Sequence, residues 1–102
     1  MSSRDVQYGS FVWDVEKEAS NQRQHGLGFS EAAQAFGDAC RIIAIDEAHS
    51  RVEPRYFCIG KVLGRVATIR FTRRGARIRI IGAGYWRKGR RLYEEEQKKH
   101  GT

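Results

Sequence analysis

Three polar residues near the N-terminus have the spacing of one helix face and could carry out acid–base chemistry. Lys17, Asn21 and His25 follow one another at intervals of four residues, so they share one stripe of any helix that contains them. An imidazole has a pKa of about 6.5 and exchanges protons near neutral pH. The stripe could therefore move a proton beside a bound anion. A capping role for His25, whose ring would meet free carbonyls at the helix end, remains an open alternative.

Arginines in the second half of the chain could hold such an anion. A guanidinium group can bind two phosphate oxygens at once. In the last strand-like run, Arg77 and Arg79 point to the opposite face from Ile78 and Ile80. We therefore predict a sheet whose apolar face carries the helices and whose other face shows arginines to a polyanion. Solvated arginines, or arginines that face a protein partner, remain the simpler alternatives.

The bulk composition agrees with an acidic partner. The chain has 102 residues, a formal net charge of +7 and a hydrophobic share of 40%. These values predict one domain with its own core and favour nucleic acid or an acidic protein as the partner. A basic protein without a polyanion partner stays possible. No apolar run approaches the roughly 18 residues of a membrane span, so we expect a cytoplasmic protein that does not contact membranes.

The two cysteines give little support for a metal site. Cys40 and Cys58 lie in apolar runs and lack the paired spacing of a zinc site. We predict two buried thiols, no metal and no cofactor. His49, in a polar loop, is expected to anchor that loop, and Trp13 is expected in the core.

Short-range signals predict an α+β fold in a single small domain spanning residues 1–102. A strand over residues 8–13 should lead into a helix that is capped by Asp14 and ends at His25 before Gly26. Ser30 is expected to cap a second short helix. One face of that helix should join the core through Phe29, Ala32, Ala33 and Phe36.

Four later runs predict a strand at residues 40–46 and an antiparallel meander. The meander strands cover residues 55–62, 65–72 and 76–83, separated by hairpin-length turns. A final helix is predicted over residues 86–100, and residues 1–7 and 97–102 are expected to be loose. The first turn of this final helix carries the cations Arg87, Lys88, Arg90 and Arg91. These oppose the helix dipole unless an anion binds there, with Trp86 and Tyr85 as adjacent base-stacking candidates.

An ordered series of motifs resembles the BrnT family of bacterial toxins. The series comprises FVWDVEKEASNQRQHGLGFSEA, DEAHSRVEPRYFCIG, Gly64-Arg65 and FTRRGARIRIIGA. The resemblance implies a fold like that of RelE- and ParE-type toxins and metal-independent endoribonuclease activity that inhibits translation. It also implies an antitoxin partner with a ribbon-helix-helix domain, similar to BrnA, through which the toxin would meet DNA only indirectly. Matched positions in the polar loop are Asp46, His49, Ser50, Glu53 and Arg55.

RNA cleavage without a metal needs proton transfer to and from the reacting oxygens and positive charge over the phosphate. We predict His25, Arg65, Arg74 and Arg79 as the catalytic residues. The predicted RNA-binding residues are Lys17, Asn21, Arg70, Arg77, Trp86, Arg87 and Lys88.

Two departures from the family pattern support an alternative function. Gln24 stands where lysine is usual, and Gly84 stands where the family often has arginine. The alternative is a non-catalytic relative that keeps the antitoxin or nucleic-acid interface but has lost cleavage.

Overall fold

Six strands form one mixed sheet in the order β1-β2-β6-β5-β4-β3. The computed structural model describes residues 4–100. The strands are β1 Asp5–Tyr8, β2 Phe11–Asp14, β3 Ile42–Ile45, β4 Tyr56–Val62, β5 Arg65–Arg74 and β6 Arg77–Gly84. The helices are α1 Val15–His25, α2 Phe29–Ala32 and α3 Arg87–His100, with 3-10 turns at Ala33–Gly37 and Glu47–His49. The predicted α+β class is confirmed, whereas the likeness to RelE-type toxins stays a prediction.

The N-terminal segment is more ordered than the sequence predicted. Residues 5–8 form β1, which pairs antiparallel with β2 around a turn at Gly9, so residues 1–7 are wrongly predicted as wholly loose. Residues 1–3 lie outside the described part of the chain. β2 then lies parallel to the start of β6 through Phe11 and Val12.

The predicted limits of α1 are confirmed. The Asp14 carboxylate accepts a hydrogen bond from the Glu16 backbone N–H at 2.8 Å, and Gly26 ends the helix with a φ of 67°. Such a left-handed conformation suits glycine because it has no Cβ.

The predicted meander is also confirmed, with small shifts of its turns. β4 and β5 are joined by Leu63 and Gly64, whose φ values are 54° and 81°. This double positive φ matches the twist of a tight hairpin. β5 and β6 are joined by Gly75 and Ala76, because Arg74 pairs with Arg77 and both arginines belong to strands.

The first of the two sheet faces, here called the core face, is covered by α2 and the 3-10 turn that follows it. Phe29 is fully buried, and a Cβ added to Gly60 would lie 2.6 Å from the Ala35 carbonyl oxygen. This contact shows how closely the turn approaches β4. The predicted apolar helix face is therefore confirmed, but Ser30 does not cap it. Instead the Glu31 carboxylate accepts from the Gly28 N–H at 3.3 Å.

The opposite face, here called the arginine face, also carries a helix. Gly89 of α3 packs against Thr68 and Ile59, whose side chains point away from the core face. The expectation that all helices lie on the apolar face is therefore wrong. α3 runs to His100, so residues 97–100 are helical rather than loose, and residues 101–102 lie outside the description.

Asp38 ties α3 to the sheet. Its carboxylate accepts from the Tyr93 hydroxyl at 2.7 Å and from the backbone N–H groups of Lys61 and Cys40, each at 2.8 Å. Burial and the bond to Asp38 raise the pKa of Tyr93 to about 12. The helix is thus fixed at its middle by a hydrogen bond and at its start by close packing.

The two thiols have different environments. Cys58 is fully buried, and burial raises its pKa to about 12, as suits a structural thiol. Cys40 is exposed, so the prediction that both are buried is wrong for Cys40. Its short segment precedes the outermost strand, where one side has no sheet neighbour.

Candidate active site

The polar stripe of α1 forms one wall of an open cleft of about 390 Å³. Strands β5 and β6 supply the floor together with Arg55, which directly precedes β4, and Trp86 stands next to the start of α3. The residues that line this cleft are Lys17, Ser20, Asn21, Gln24, His25, Arg55, Arg70, Ile81, Gly82 and Trp86. Lys17 and His25 of the predicted stripe are therefore exposed in the cleft, whereas Asn21 between them is buried.

Asn21 fixes α1 against the sheet. β2 pairs with β6 only at its beginning, which leaves the edge of β6 open near Ala83. The Asn21 amide donates to the Ala83 carbonyl at 2.9 Å and accepts from the Ala83 N–H at 3.1 Å. It also donates to the Leu27 carbonyl at 2.9 Å. Asn21 thus takes the place of a neighbouring strand, and its effect on bound RNA would be through positioning.

A β-bulge opens the floor of the cleft. Phe71 pairs with Ile80 and Arg70 pairs with Gly82, so Ile81 is an extra residue in β6. Such bulges redirect the side chains beyond them. Gly82 carries no side chain, which leaves space between Arg70 and α1.

Arg55 reaches the cleft from the end of a closed loop. The Ser50 hydroxyl donates to the Asp46 carbonyl at 2.7 Å and accepts from the Arg55 N–H at 2.9 Å, while the Asp46 N–H donates to the Arg55 carbonyl at 2.8 Å. These bonds hold the two ends of the loop together. Arg55 Nε is buried without a hydrogen-bond acceptor within residues 4–100, so its guanidinium is incompletely satisfied.

Arg70 has a carboxylate neighbour that is already engaged. Asp46 lies 3.9 Å from Arg70 Nε, which is beyond hydrogen-bond distance, and its two oxygens lie 2.9 and 3.1 Å from His49 Nδ1. The loop-anchoring role predicted for His49 is confirmed. Arg70 remains one-third exposed and can still bind an anion from the cleft.

His25 is exposed and contacts Trp86 rather than the backbone. The two rings meet edge to face with their centres 5.2 Å apart. The Gly26 N–H donates a hydrogen bond to the Gln22 carbonyl at the end of α1, so this carbonyl does not need the imidazole as a donor. This arrangement leaves the His25 nitrogens available in the cleft and does not support the capping alternative.

Trp86 explains the glycine at position 84. A Cβ on Gly84 would lie 2.6 Å from two atoms of the indole, so any side chain there would displace Trp86. The indole is 36% exposed and borders the cleft. A glycine at position 84 therefore makes room for an aromatic surface beside His25.

A second basic concavity shares Trp86 with the cleft. This basic pocket has a volume of about 530 Å³ and is lined in part by Lys61, Arg65, Arg87 and Arg90. The Arg65 guanidinium stacks 3.9 Å over the Tyr85 ring. Arg65 and Arg87 thus lie next to the cleft but not in it, and Lys88 lines a neighbouring apolar depression.

Two of the predicted catalytic arginines are held in ion pairs away from the cleft lining. Arg79 forms a forked pair with Asp5 at 2.9 and 3.2 Å, and Arg74 forms one with Glu53 at 3.2 and 3.3 Å. Hydrogen bonding from these arginines lowers the pKa of Asp5 and of Glu53, and the bond to Asp5 raises the pKa of Arg79. Arg77 is exposed beside the β5–β6 turn.

The structure therefore brings together only part of the predicted site. His25, Lys17, Arg70 and Trp86 meet in the cleft, whereas Arg65 lies in the adjoining pocket, and Arg74 and Arg79 line neither concavity. Arg55 was missed as a site residue, although the Glu53-x-Arg55 match was the available signal. Catalytic roles for Arg65, Arg74 and Arg79 stay predictions.

Within residues 4–100, no three His, Cys, Asp or Glu side chains are grouped so that they could hold a metal ion. In the same range, no helix is long and apolar enough to cross a membrane.

The family model for the ribonuclease toxin BrnT of type II toxin-antitoxin systems matches residues 13–89. A comparison with curated proteins finds no match for this chain. The matched range includes all of α1, the polar loop, the meander and Trp86, and thus every residue that lines the cleft. An antitoxin partner and an RNA substrate follow from the family, and its description favours a catalytic protein over the non-catalytic alternative. The chain belongs to the BrnT family of ribonuclease toxins of type II toxin-antitoxin systems.

Proposed function

We propose that this protein is a metal-independent endoribonuclease whose reaction takes place in the cleft between α1 and the arginine face. The observation that carries the proposal is the composition of the cleft. An exposed imidazole, the three cations Lys17, Arg55 and Arg70 and an indole line it, and no carboxylate does. Cations without carboxylates suit a phosphodiester better than a hydrated divalent metal, which prefers oxygen ligands.

His25 is the proton-transfer residue in this mechanism. The 2′-hydroxyl of the RNA attacks the adjacent phosphorus while its proton passes to the neutral imidazole. The bond from phosphorus to the 5′-oxygen breaks, and that oxygen takes a proton from the Lys17 ammonium group or from water. The products are a 2′,3′-cyclic phosphate and a 5′-hydroxyl end. No redox step or bound cofactor is required.

Arg55 and Arg70 stabilise the negative charge that develops on the phosphate. Both guanidinium groups are about one-third exposed and come from adjacent, hydrogen-bonded parts of the sheet. Their carboxylate neighbours lie at 3.4 and 3.9 Å, longer than the ideal charge-assisted bond of about 2.8 Å. These arginines can therefore turn toward a phosphate without leaving a short ion pair.

The basic pocket continues the path of the RNA strand beyond the cleft. Trp86 borders both concavities, and the cations Arg65 and Arg87 lie past it. A base stacked on the exposed indole would place the following phosphates near these cations. The RNA phosphates would then offset the unfavourable interaction between the four positive charges in the first turn of α3 and the positive end of the helix dipole.

The test is cleavage of single-stranded RNA by the purified protein in the presence of a chelator. We expect cleavage with 2′,3′-cyclic phosphate and 5′-hydroxyl ends, and substrates with 2′-deoxyribose at the cut position should stay intact. Ends with a 3′-hydroxyl and 5′-phosphate, or activity that returns only with added magnesium, would contradict the mechanism. The His25→Ala protein serves as the control for contaminating ribonuclease.

We further propose that cleavage inhibits translation and that a ribbon-helix-helix antitoxin neutralises the protein. Family membership supports a partner, and the basic cleft supports one that carries acidic side chains. Induction of the chain in growing cells should reduce incorporation of labelled amino acids, and co-expression of a cognate ribbon-helix-helix antitoxin should restore it. Unchanged incorporation at a verified level of folded toxin would refute the translational effect.

A further inference from the structure

An apolar slot lies on the arginine face beneath the first turn of α3. It has a volume of about 210 Å³ and is lined mainly by Phe57, Ile59, Trp86 and Leu92, with Thr68, Lys88 and Gly89 completing it. This volume is below the roughly 300–1,000 Å³ of sites for drug-sized ligands. The slot therefore suits one ring system rather than a complete nucleotide or a folded peptide.

The strand register places this slot directly beside the cleft. Phe57 pairs with Arg70, and Ile59 pairs with Thr68 in the next position on the same face. Arg70 faces the cleft, while its neighbour Phe57 lines the slot. Trp86 borders both the cleft and the slot, so an RNA strand whose phosphate contacts Arg70 has the apolar slot beside its adjoining nucleotide.

Thr68 contributes to the slot wall, but its hydroxyl lies against Gly89 of α3. The residue is 6% exposed, and its hydroxyl has no hydrogen-bond partner among the described residues. Buried hydroxyl groups are normally paired, so an orphaned one calls for a physical reason. The close packing of Gly89 against this hydroxyl is that reason. Lys88 supplies positive charge at the same slot.

We propose that the apolar slot receives one unpaired base of the RNA substrate, next to the phosphate that is cut. The proposal rests on the ribonuclease function and names the substrate class as single-stranded RNA whose base can leave the stack. Phe57, Ile59 and Leu92 cover the base, and Trp86 provides an aromatic surface beside it. The same indole thereby links the bound base to the position of His25.

The experiment measures binding of short single-stranded RNA oligonucleotides in which each base in turn is removed. The full-length His25→Ala protein prevents cleavage, and fluorescence anisotropy reports affinity. We expect removal of one particular base to weaken binding about tenfold, as for a stacked base, with smaller losses elsewhere. This loss of affinity at one base position is called the positional loss. It should disappear in Leu92→Phe, because the larger side chain fills the slot, and Leu92 is 42% exposed, so the change does not disturb the core.

Two further variants separate the slot from general effects. Ile43→Phe makes the same kind of change at a side chain that is 48% exposed on β3, and it should retain the positional loss. Thr68→Val removes only a hydroxyl that Gly89 covers, so it should retain both the positional loss and the average affinity. Equal tolerance of base removal at every position would overturn the proposal, as would persistence of the positional loss in Leu92→Phe.

Failure of the slot and failure of the ribonuclease function give different results. RNA cleavage by the wild-type protein without a positional loss would refute the slot and leave the function intact. A positional loss without any cleavage by wild type would refute the function and keep the slot as an RNA-binding site. Loss of antitoxin binding in Leu92→Phe, with an unchanged base-removal pattern, would assign the slot to the protein partner and overturn the proposal.

Discussion

The cleft and the region around β1 both contain arginines, but they use their charge differently. In the cleft, Arg55 and Arg70 have carboxylate neighbours at 3.4 and 3.9 Å. At the β1 side of the sheet, Arg79 makes two short bonds to Asp5, at 2.9 and 3.2 Å. The first set can bind an external anion, whereas Arg79 already has an internal one. A formal net charge of +7 therefore does not show which arginines can meet a phosphate.

The physical reason for this difference is competition between carboxylates and phosphate for the same donors. A forked arginine–carboxylate pair occupies two N–H groups on one edge of the guanidinium, so a phosphate that approaches this edge must displace a well-placed acceptor. A guanidinium whose carboxylate neighbour is distant or shared loses little interaction energy when it turns toward a phosphate. The comparison predicts catalytic effects for changes in the cleft and stability effects for changes at β1.

The largest effect is expected for His25→Ala. Loss of the only imidazole in the cleft lining should reduce the RNA cleavage rate by about 10²–10⁴-fold, the usual contribution of a general acid or base. Circular dichroism should show unchanged folding, because the ring is exposed. His100→Ala, at the exposed end of α3, is the matched control and should cleave normally. Full activity of His25→Ala would remove the cleft as the reaction site.

Arg70→Gln should lower cleavage by about 10²–10³-fold, as for loss of one donor to a developing negative charge. The neighbouring Arg73→Gln changes the same charge on the same strand outside the cleft and should have little effect. Single-turnover rates at saturating RNA measure the cleavage step alone, so they separate a loss of catalysis from a loss of RNA affinity in both variants. Equal effects of both substitutions would reduce the role of Arg70 to general electrostatics.

Arg79→Gln tests the other side of the comparison. Removal of the guanidinium leaves the Asp5 carboxylate without its forked partner, so the thermal unfolding midpoint should fall by several degrees. Cleavage at a temperature where the variant is folded should stay within about threefold of wild type, far below the loss expected for a catalytic donor. A large loss of cleavage at an unchanged unfolding midpoint would instead support the catalytic role suggested by the family resemblance.

The ion pair between Arg79 and Asp5 also makes the stability of the fold depend on pH in the acidic range. The pKa of Asp5 is lowered in the folded state by hydrogen bonding from Arg79, so its contribution is fully present above the unfolded value of 3.8. It is lost as the pH falls through the lower folded pKa. Unfolding midpoints of wild type and Asp5→Asn should differ at pH 6 and converge in strong acid. A constant difference across this range would show that the ionised pair is not the cause.

The smallest effect is expected for the buried hydroxyl of Thr68. Thr68→Val should raise the free energy of unfolding by about 1 kcal/mol, because it removes a buried, unpaired hydroxyl. Thr72→Val is the control, since the Thr72 hydroxyl donates to the Pro54 carbonyl at 2.7 Å. Its removal should lower the free energy of unfolding by a similar amount in urea titrations. Destabilisation by both variants would indicate that the Thr68 hydroxyl has a partner in solution.

The sequence by itself determined the features that depend on neighbouring residues. Asp14 and Gly26 set the ends of α1 through local hydrogen bonding and glycine backbone freedom, and the four-residue spacing of Lys17, Asn21 and His25 set one helical stripe. The meander followed from apolar alternation and tight turns. The ordered motifs also predicted the family, which the match over residues 13–89 confirms.

Only the tertiary structure decided which charges face the cleft and which are paired. Arg79 meets Asp5 across 74 residues of sequence, and Arg74 meets Glu53 across 21, distances at which spacing patterns carry no information. The bulge at Ile81, the closure of the loop that presents Arg55 and the packing of Trp86 on Gly84 likewise depend on contacts between distant segments. A sequence shows that an arginine is charged, whereas its availability to RNA depends on which carboxylate the fold places beside it.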